Sequence, residues 1–514
     1  MHFRFSSRPH AVFAKAFSIL LTGALILIAS PAAPPAWADD DQTAGPHTLY
    51  LPTVSKRCSF SAASASIFGV QMYGATGAGT TYHSALIDSG AEWVRVPIEW
   101  DAVEPTNLQP ANYRWQSADA AVAAASASCK NLIVTLRSAP SWAATYPNSR
   151  IKLDQLGEFA QFVRATVERY DGDGINDAPG SPVVTYWELY NEPDASFDFV
   201  PEDWHRGWGE FGAEYAQMLS VAYPAIKQAN PKAQVLFGGI AYDNFVDDGG
   251  NFIEEFLDDV LAAGGGAHFD IMNIHSYPAF GGYWVRRMDP SCVKNGTCFG
   301  PGVVEKVTYV HDKLGDYGLT KPIMITESGW HSDNPPDQPS SPEMQARYVL
   351  EIFTQSKAAG VLNTIYFALT DPGGGYPHEN GLVSASTPPQ RKPAFTAYQV
   401  AVDWLAPARF VRRLPAAELK AKAMDAYQFF HPSRGHTFYV AWLNPAKLGL
   451  DLDGNGTLEE NKGEVKDNQE TIRLPGTTAN VYNIYGTLLE TVNSNDGNVR
   501  ILIGGQPRII EIVK

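Results

Sequence analysis

The sequence predicts an α/β protein, a (β/α)8 TIM barrel followed by a small all-β sandwich domain, on two observations. Between Ile67 and Trp404, eight apolar strand-like runs alternate with helix-like segments, which is the pattern of an eightfold barrel with loop insertions. After Trp404, short alternating runs are separated by turns rich in Gly, Asn and Asp, which is typical of a sandwich. A doubly wound open sheet is the alternative, but no Gly-rich phosphate turn follows the first strand.

Each predicted barrel strand is a short apolar run that ends before a turn or a helical segment. These strands are expected at Ile67–Tyr73, Trp93–Pro97, Leu132–Leu136, Val183–Leu189, Val235–Ile240, Phe269–Ile274, Ile323–Thr326 and Thr364–Ala368. Helical segments are expected at Leu153–Tyr170, Phe211–Asn230, Phe252–Ala263, Val303–Leu314 and Pro342–Ala359. The second domain is expected to place strands at Ala426–Phe430, Thr437–Leu443, Thr471–Leu474, Asn480–Tyr485, Val499–Ile503 and Arg508–Val513.

The amino terminus has the pattern of a secretory signal peptide. Three basic residues precede an apolar run, and Ala36-Trp37-Ala38 has the small-x-small spacing of a cleavage site. The run is short for a membrane span, so the mature protein is expected to be secreted and extracellular, without a membrane span. We therefore divide the chain into a signal peptide (1–38), an N-terminal lead-in segment (39–57), the catalytic barrel (58–406) and the sandwich (407–514).

The charge and cysteine content limit the classes of partner and compartment. The formal net charge of −16 disfavours nucleic acid or an anionic membrane surface as a partner, and the oligomeric state stays open. Export permits disulfides among the four cysteines. Cys292 and Cys298 flank a turn sequence and are predicted to pair, which leaves Cys58 for Cys129.

Two glutamates follow buried strands and carry the functional prediction. Glu192 follows the fourth run and precedes Pro193, and Glu327 ends the seventh run. The carboxyl ends of barrel strands open on one face, so both carboxyls point into one mouth. A separation of about 5–5.5 Å suits glycoside hydrolysis by double displacement. Glu327, ionised, is predicted to be the nucleophile, and its charge keeps Glu192 protonated as the acid/base.

Other strand ends supply polar groups to support this pair. Arg95 is predicted to hold Glu327 ionised, and Tyr277 to donate a hydrogen bond to it. His275 lies two residues before Tyr277, on the same side of an extended strand. Asn191 is expected to bind the sugar 2-hydroxyl. Each of these residues alone fits a structural role, but their convergence on one barrel face favours the functional interpretation.

These motifs resemble the clan A glycoside hydrolases over roughly residues 60–405. The resemblance rests on three motifs: Tyr-Asn-Glu-Pro ending at Pro193, His-x-Tyr ending at Tyr277 and Thr-Glu-x-Gly-Trp ending at Trp330. The sequence around Glu192, with Ala-Pro-Ser-Trp ending at Trp142, is similar to family 39, whereas His-x-Tyr is equally similar to family 5. The resemblance implies a retaining β-glycosidase that acts on poly- or oligosaccharides, with no cofactor required for catalysis.

One departure from the clan concerns the sugar platform. Many members carry a Trp at the end of strand eight, where this chain has Ile-Tyr-Phe-Ala ending at Ala368. The floor of the −1 subsite is therefore expected to come from Phe367 or Trp330, and Trp142 is expected to contact substrate as in the family.

Two acidic turns have the alternate-oxygen spacing of calcium loops. One holds Asp171, Asp173 and Asp177; the other holds Asp451, Asp453, Asn455 and Glu459, with Lys462 at the position where an EF-hand has its bidentate Glu. Each fits a structural calcium site or an ordinary acidic turn.

Two other functions remain open. A carbohydrate-binding or cell-surface protein on a decayed barrel is disfavoured by the complete set of Glu192, Glu327, Arg95 and Tyr277. A metal-dependent hydrolase would require His or Asp ligands on strands one, five and six, where His275 alone is suitably placed.

Overall fold

Eight short parallel strands form a barrel in the computed structural model, which describes residues 66–73, 82–146, 148–197, 207–295, 298, 300–335, 340–373, 378–421, 424–444 and 469–514. All of these residues belong to one compact unit, Lys56–Lys514. The predicted signal peptide and lead-in segment lie outside the described residues. Within the described part of the chain, no helix is long and apolar enough to cross a bilayer.

The barrel strands are continuous apolar runs because both of their faces are buried. They are β1 (Phe68–Gln71), β2 (Trp93–Glu99), β3 (Asn131–Arg137), β4 (Tyr186–Leu189), β5 (Gln234–Leu236), β6 (Met272–His275), β7 (Ile323–Ser328) and β8 (Thr364–Tyr366). Their order is β5-β4-β3-β2-β1-β8-β7-β6. Parallel bridges Leu236–Ile271 and Ile240–Ile274 join the two ends of this sheet. The predicted barrel is confirmed.

Helices follow the strands around the barrel. They are α1 (His83–Ser89), α2 (Trp100–Val103), α3 (Gln116–Ser126), α4 (Leu156–Arg169), α5 (Gly212–Ala229), α6 (Phe256–Ala262), α7 (Gly281–Met288), α8 (Cys292–Asn295), α9 (Val303–Asp316), α10 (Pro342–Ala359), α11 (Pro393–Leu405) and, beyond the barrel, α12 (Ala416–Leu419). The capping of α10 is typical: the Ser341 side chain accepts a hydrogen bond from Met344 N–H, and Pro342 occupies the first turn.

The barrel interior has an apolar layer and, above it, a polar one. The apolar layer consists of Trp93, Ile133, Tyr186, Leu236, Ile271, Met324 and Ile365. Residues two positions further along a strand face the same side, and four strands there carry Arg95, Thr135, Glu188 and Asn273, all buried. The polar layer therefore lies between the apolar interior and the carboxyl ends of the strands, where it can support a site.

The second domain is antiparallel, as predicted. Its strands are β9 (Arg409–Arg413), β10 (Met424–His431), β11 (His436–Leu443), β12 (Glu470–Pro475), β13 (Thr478–Tyr482), β14 (Leu488–Asn493), β15 (Asn498–Ile503) and β16 (Arg508–Ile512). Six of them form a sheet in the order β14-β13-β16-β11-β10-β9, and β12 pairs with β15. The boundary predicted at residue 406 stays a prediction.

Both faces of the six-stranded sheet are buried along its central strands. One face, with Ala426 and Tyr439, packs against Ile472 and Ile501 of the β12–β15 pair. The other face, with Phe438, joins the apolar core of the barrel. There the rings of Trp404 in α11 and Phe438 are 5.1 Å apart. The two sheets thus form a sandwich that also packs on the barrel.

Candidate active site

Glu192 lies just beyond β4 in an uncommon backbone conformation. Its φ is 45°, and that of Tyr190 is 72°, a left-handed region that residues other than glycine seldom adopt. The turn is held by neighbouring strands: Glu192 N–H donates to Gly239 O at 2.9 Å, and Tyr190 N–H donates to Leu136 O at 2.9 Å. Such conformations persist where the surroundings fix them, often at functional sites. This one directs the Glu192 carboxyl into the barrel mouth.

Glu327 lies in β7 and is 8% exposed. Arg95 Nη1 lies 2.7 Å from its Oε1, and the Tyr277 hydroxyl donates to its Oε2 at 2.9 Å. Burial alone would raise the pKa of Glu327. The positive charges of His275 and Arg95, with hydrogen bonds from Arg95 and Tyr277, outweigh burial and hold this pKa below its ordinary value. The arrangement keeps Glu327 ionised.

His275, at the end of β6, joins the two glutamates. Its Nδ1 lies 2.9 Å from Glu192 Oε1 and 3.7 Å from Glu327 Oε2. Burial would lower the pKa of His275, but the charges of Glu327 and Glu192 and the hydrogen bond to Glu192 raise it. The ring packs so closely on the segment that follows β5 that a Cβ at Gly239 would lie 2.2 Å from His275 Nε2. Glycine is therefore required there.

The two carboxyl groups are close to each other. Glu192, His275 and Glu327 each offer a side-chain N or O atom, and these three atoms lie within 4.8 Å of one another. Two carboxyls and a protonatable imidazole in one mouth can move protons and stabilise positive charge.

Arg95 depends on a buried carboxylate that the sequence analysis did not single out. Arg95 Nε and Nη2 lie 2.6 and 3.1 Å from the oxygens of Glu188, which is fully buried. Glu188 also accepts from Asn273 at 2.7 Å and from Thr326 at 2.9 Å. In the sequence, Glu188 is a lone carboxylate inside an apolar strand. A buried charge needs partners, so this pattern indicates a cation on a neighbouring strand.

Asn191 also contacts Arg95 at the mouth. Its Oδ1 accepts from Arg95 Nη2 at 2.7 Å, so the NH2 group of the amide remains as the donor. Gln71, at the end of β1, accepts from Arg95 Nη1 at 3.1 Å and was not predicted from the sequence. Arg95 is thereby held by four partners: Glu188, Glu327, Asn191 and Gln71.

Tyr73, beyond the end of β1, is a further residue of the mouth that the sequence analysis missed. It is 37% exposed, and partial burial and the charge of Glu327 raise the pKa of its hydroxyl. Its ring meets Phe367 edge to face at 5.9 Å, and Phe367 is only 3% exposed. Of these two aromatic residues, Tyr73 has the more accessible ring.

Trp142 and Trp330 have different surroundings. Trp142 is half-buried, and its Nε1 donates to Glu104 O at 3.2 Å. The same loop after β3 has a hollow of about 280 Å³ that is lined by Pro140, Ser141 and Tyr146 but not by Trp142. Trp330 is 3% exposed, and its Nε1 donates to Ser340 Oγ at 2.8 Å. Trp330 packs against Tyr348 and Ile352 of α10, so neither face of its ring is exposed for stacking on a sugar.

Buried charges lie behind Glu192. Asp194 is fully buried and accepts from the amides of Ala241 at 3.1 Å and Tyr242 at 2.7 Å. Burial raises its pKa to about 7, helped by the charge of Glu192 and opposed by the amide hydrogen bonds. Asp243 pairs with Lys306 at 2.9 Å, and burial raises its pKa to about 6 although Lys306 opposes this.

The remaining predicted residues lie away from the mouth or outside the described residues. Cys292 and Cys298 form a disulfide, as predicted. Cys129 is disulfide-bonded, but its predicted partner Cys58 lies outside the described residues, so that pairing stays a prediction. Asp171, Asp173 and Asp177 bring carboxylate oxygens within 4.8 Å of one another. The second acidic turn, Asp451 to Glu459, also lies outside the described residues.

Comparison with known proteins identifies similar sequences and folds. A family model described as Cellulase (glycosyl hydrolase family 5) matches residues 56–366. A family 39 glycoside hydrolase from Bacteroides cellulosilyticus WH2 is similar in structure, with a TM-score of 0.60 and 18% identity over 88% of this chain and 81% of that chain. A GH30 endoxylanase from Clostridium papyrosolvens C71 has a TM-score of 0.52 and 14% identity, over 87% and 96% of the two chains. A GH51 arabinofuranosidase from Xanthomonas axonopodis pv. citri has a TM-score of 0.53 and 10% identity, over 87% of this chain and 96% of that chain. No curated protein matches the sequence.

Proposed function

We propose that this chain, which belongs to the cellulase family (glycosyl hydrolase family 5), is a secreted retaining β-glycosidase that cleaves O-glycosidic bonds of poly- or oligosaccharides. The resemblance to clan A is confirmed, and the chain is a glycoside hydrolase. The observation that carries the finer proposal is the convergence of Glu192 and Glu327, from the ends of β4 and β7, to within 4.8 Å. That proximity suits double displacement, in which no water has to fit between the carboxyls.

Glu327 acts as the nucleophile. Held ionised by Arg95 and Tyr277, it attacks the anomeric carbon, and the bond to the leaving oxygen breaks. A covalent glycosyl-enzyme forms and is then hydrolysed by water, with release of Glu327. The Tyr277 hydroxyl donates to Glu327 Oε2. This hydrogen bond is strong while Glu327 is ionised and weakens when the glycosyl-enzyme ester neutralises the carboxyl.

Glu192 acts as the acid and then as the base. It gives a proton to the leaving oxygen in the first step and takes one from the attacking water in the second. His275 contacts Glu192 and lies near Glu327, so a proton on the imidazole lies within reach of both carboxyls. The negative charge of Glu327 favours a proton on the Glu192–His275 pair, where the leaving oxygen needs it.

The substrate lies along the barrel mouth. The amide NH2 of Asn191, whose oxygen is held by Arg95, donates to the sugar 2-hydroxyl. Tyr73, with Phe367 behind it, supplies the aromatic surface beside the reacting sugar. The hollow in the loop after β3, lined by Pro140, Ser141 and Tyr146, offers room for a neighbouring sugar unit.

Azide rescue tests this proposal. Glu327→Gln should abolish turnover of every β-glycoside because no glycosyl-enzyme can form. Glu192→Ala should lose most of its rate on natural glycans yet keep the first step on aryl glycosides with acidic phenols, which need little protonation. Azide should then restore turnover of Glu192→Ala and give a β-glycosyl azide, whereas Glu327→Gln could give only the α-azide. Full activity of Glu192→Ala on a natural glycan would contradict the assignment.

Secretion is part of the proposal. It is supported by the amino-terminal pattern and by the Cys292–Cys298 disulfide, since disulfides persist in oxidising compartments. Amino-terminal sequencing of the enzyme from culture medium should find a chain that begins at Asp39. Peptide mapping without reduction should find Cys58 joined to Cys129.

We also propose that calcium stabilises the acidic turns. In the turn at 171–177, Asp171 and Asp173 accept hydrogen bonds from Asp173 N–H at 3.1 Å and Ile175 N–H at 2.7 Å, which fixes their carboxylates around a common centre. Oxygen ligands at this spacing suit Ca²⁺. The turn that contains Asp451, Asp453, Asn455 and Glu459 is the second candidate.

A further inference from the structure

A cluster of two histidines and an aspartate lies on the same barrel face as the glutamates but is separate from them. His331 and Asp333 come from the loop after β7, and His378 comes from the loop after β8. Each residue offers a nitrogen or oxygen atom that can bind a metal, and these atoms lie within 4.8 Å of one another. The cluster therefore connects two loops that are distant in sequence.

One carboxylate lies between the two imidazoles. Asp333 Oδ1 is 3.0 Å from His331 Nδ1, and Asp333 Oδ2 is 3.5 Å from His378 Nδ1. The two rings are 4.5 Å apart, with 30° between their planes. All three side chains thus face a common point.

Two nitrogen atoms of this cluster lack a hydrogen-bond partner among the residues that the structure describes. His331 is 3% exposed, yet its Nε2 has no hydrogen-bond partner within the described residues, and neither has Nδ1 of His378. A buried polar atom without a partner costs about 1–3 kcal/mol, and most such atoms in folded proteins are satisfied. A bound cation would satisfy the nitrogen lone pairs.

The main chain positions the aspartate of this cluster, and a neighbouring cation is already paired. Asp333 Oδ1 accepts from Glu379 N–H at 2.9 Å, and Asp333 Oδ2 lies on the side of His378. The nearby Lys392 is neutralised by Asp371 at 2.6 Å.

We propose that His331, Asp333 and His378 bind a divalent transition-metal ion, Zn²⁺ being the ion that suits two imidazoles and one carboxylate. Water completes the coordination. The ion joins the loops that follow β7 and β8 and stabilises the folded chain, since a ligand that binds only the folded state raises its stability. This role is independent of glycoside hydrolysis.

Zinc binding to the full-length secreted chain tests the proposal. Protein stripped with a chelator is dialysed against micromolar ZnCl₂, and bound metal is counted by elemental analysis. One zinc per chain and a higher melting temperature are expected. His378→Gln and Asp333→Asn should each weaken binding by about 100-fold or more and remove the thermal shift, because each removes one of three protein ligands.

Two control variants locate the ion. His311→Gln replaces an exposed histidine on α9 and should bind zinc as the unaltered chain does. Glu192→Gln alters the other histidine–carboxylate cluster and should also retain one zinc. Co²⁺ in place of Zn²⁺ should give the visible absorption of a four-coordinate site in the unaltered chain but not in His378→Gln. Absence of binding at micromolar zinc, or a site lost in Glu192→Gln and kept in His378→Gln, would overturn the proposal.

Discussion

Arg95 Nε lies 2.6 Å from Oε2 of Glu188, and both side chains are buried in the barrel. Since Arg95 also contacts Glu327, this pair ties the polar layer of the barrel to the reacting carboxylate. Removing the charge of Glu188 would leave the buried guanidinium of Arg95 with N–H donors that lack their charged acceptor.

Glu188→Gln should therefore destabilise the fold by roughly 3–5 kcal/mol, as expected when one partner of a buried ion pair is lost. Guanidinium unfolding measures this. Glu99→Gln is the matched control, because Glu99 pairs with Arg137 at 2.8 Å but both side chains are partly exposed. That control should lose less than about 1 kcal/mol. Equal losses in the two variants would show that Glu188 does not have the proposed role.

Tyr277→Phe should move the acid limb of the kcat/KM profile to higher pH by about one unit. Tyr277 donates to Glu327 and so favours its ionised form; without this bond, the pKa of Glu327 rises. One unit corresponds to about 1.4 kcal/mol, the magnitude of one hydrogen bond to a charged group. The test is kcat/KM for an aryl β-glycoside measured across acidic pH.

Tyr283→Phe serves as the control for that profile. Tyr283 lies on α7 and contacts Arg287 rather than Glu327, so its loss should leave the acid limb in place. If Tyr277→Phe changed KM alone and left the acid limb of the pH profile at the same pH, Tyr277 would serve in packing or substrate contact instead.

Asp194→Asn should flatten the dependence of stability on pH. The folded pKa of Asp194, raised to about 7, lies above its ordinary value near 4. Below pH 4 the carboxyl is neutral in both states, so its contribution to stability is fully present. Between about pH 4 and 7 only the unfolded chain releases the proton, and stability falls by at most of the order of 4 kcal/mol.

Urea unfolding of the two proteins at pH 5 and pH 8 measures this slope. The neighbouring Glu192, Asp243 and Lys306 are present in both proteins, so the difference in slope between the two proteins isolates Asp194. Asp154→Asn, an exposed aspartate, should leave the slope unchanged. A constant loss at both pH values would assign Asp194 a hydrogen-bonding role alone.

Chelation of calcium should lower the melting temperature. At a calcium concentration 100 times the dissociation constant, binding to the folded state adds about 2.7 kcal/mol. Scanning calorimetry with and without EGTA measures the change. Asp173→Asn and Asp453→Asn separate the two turns, because only the variant of the occupied turn should lose its response to EGTA. An unaltered chain that melts identically with EGTA would leave both turns as ordinary loops.

The barrel could be predicted because its strands are buried on both faces and are therefore continuous apolar runs, as in β7. Strands β9 and β14 could not, because they form the two edges of the six-stranded sheet. They are almost wholly exposed, so no alternation of apolar and polar residues marks them. Helix α7 begins with Gly281 and Gly282, which conceal its helical pattern.

The glutamate pair was visible in the sequence because each residue ends an apolar run beside a turn. Glu188 was harder to recognise, since its significance lies in a partner, Arg95, on another strand. The contact of His331 and Asp333 with His378 joins two loops, and no spacing along the chain encodes it. Residues whose role depends on a contact between distant loops require the fold.

The packing of the sandwich on the barrel has a consequence for how the molecule unfolds. Phe438 packs on Trp404, and Arg413 in β9 reaches Glu305 in α9 at 2.6 Å. A chain cut after residue 406 would leave aromatic side chains of both pieces in water. The barrel and the sandwich are therefore expected to melt in one cooperative transition, and an isolated barrel fragment to aggregate.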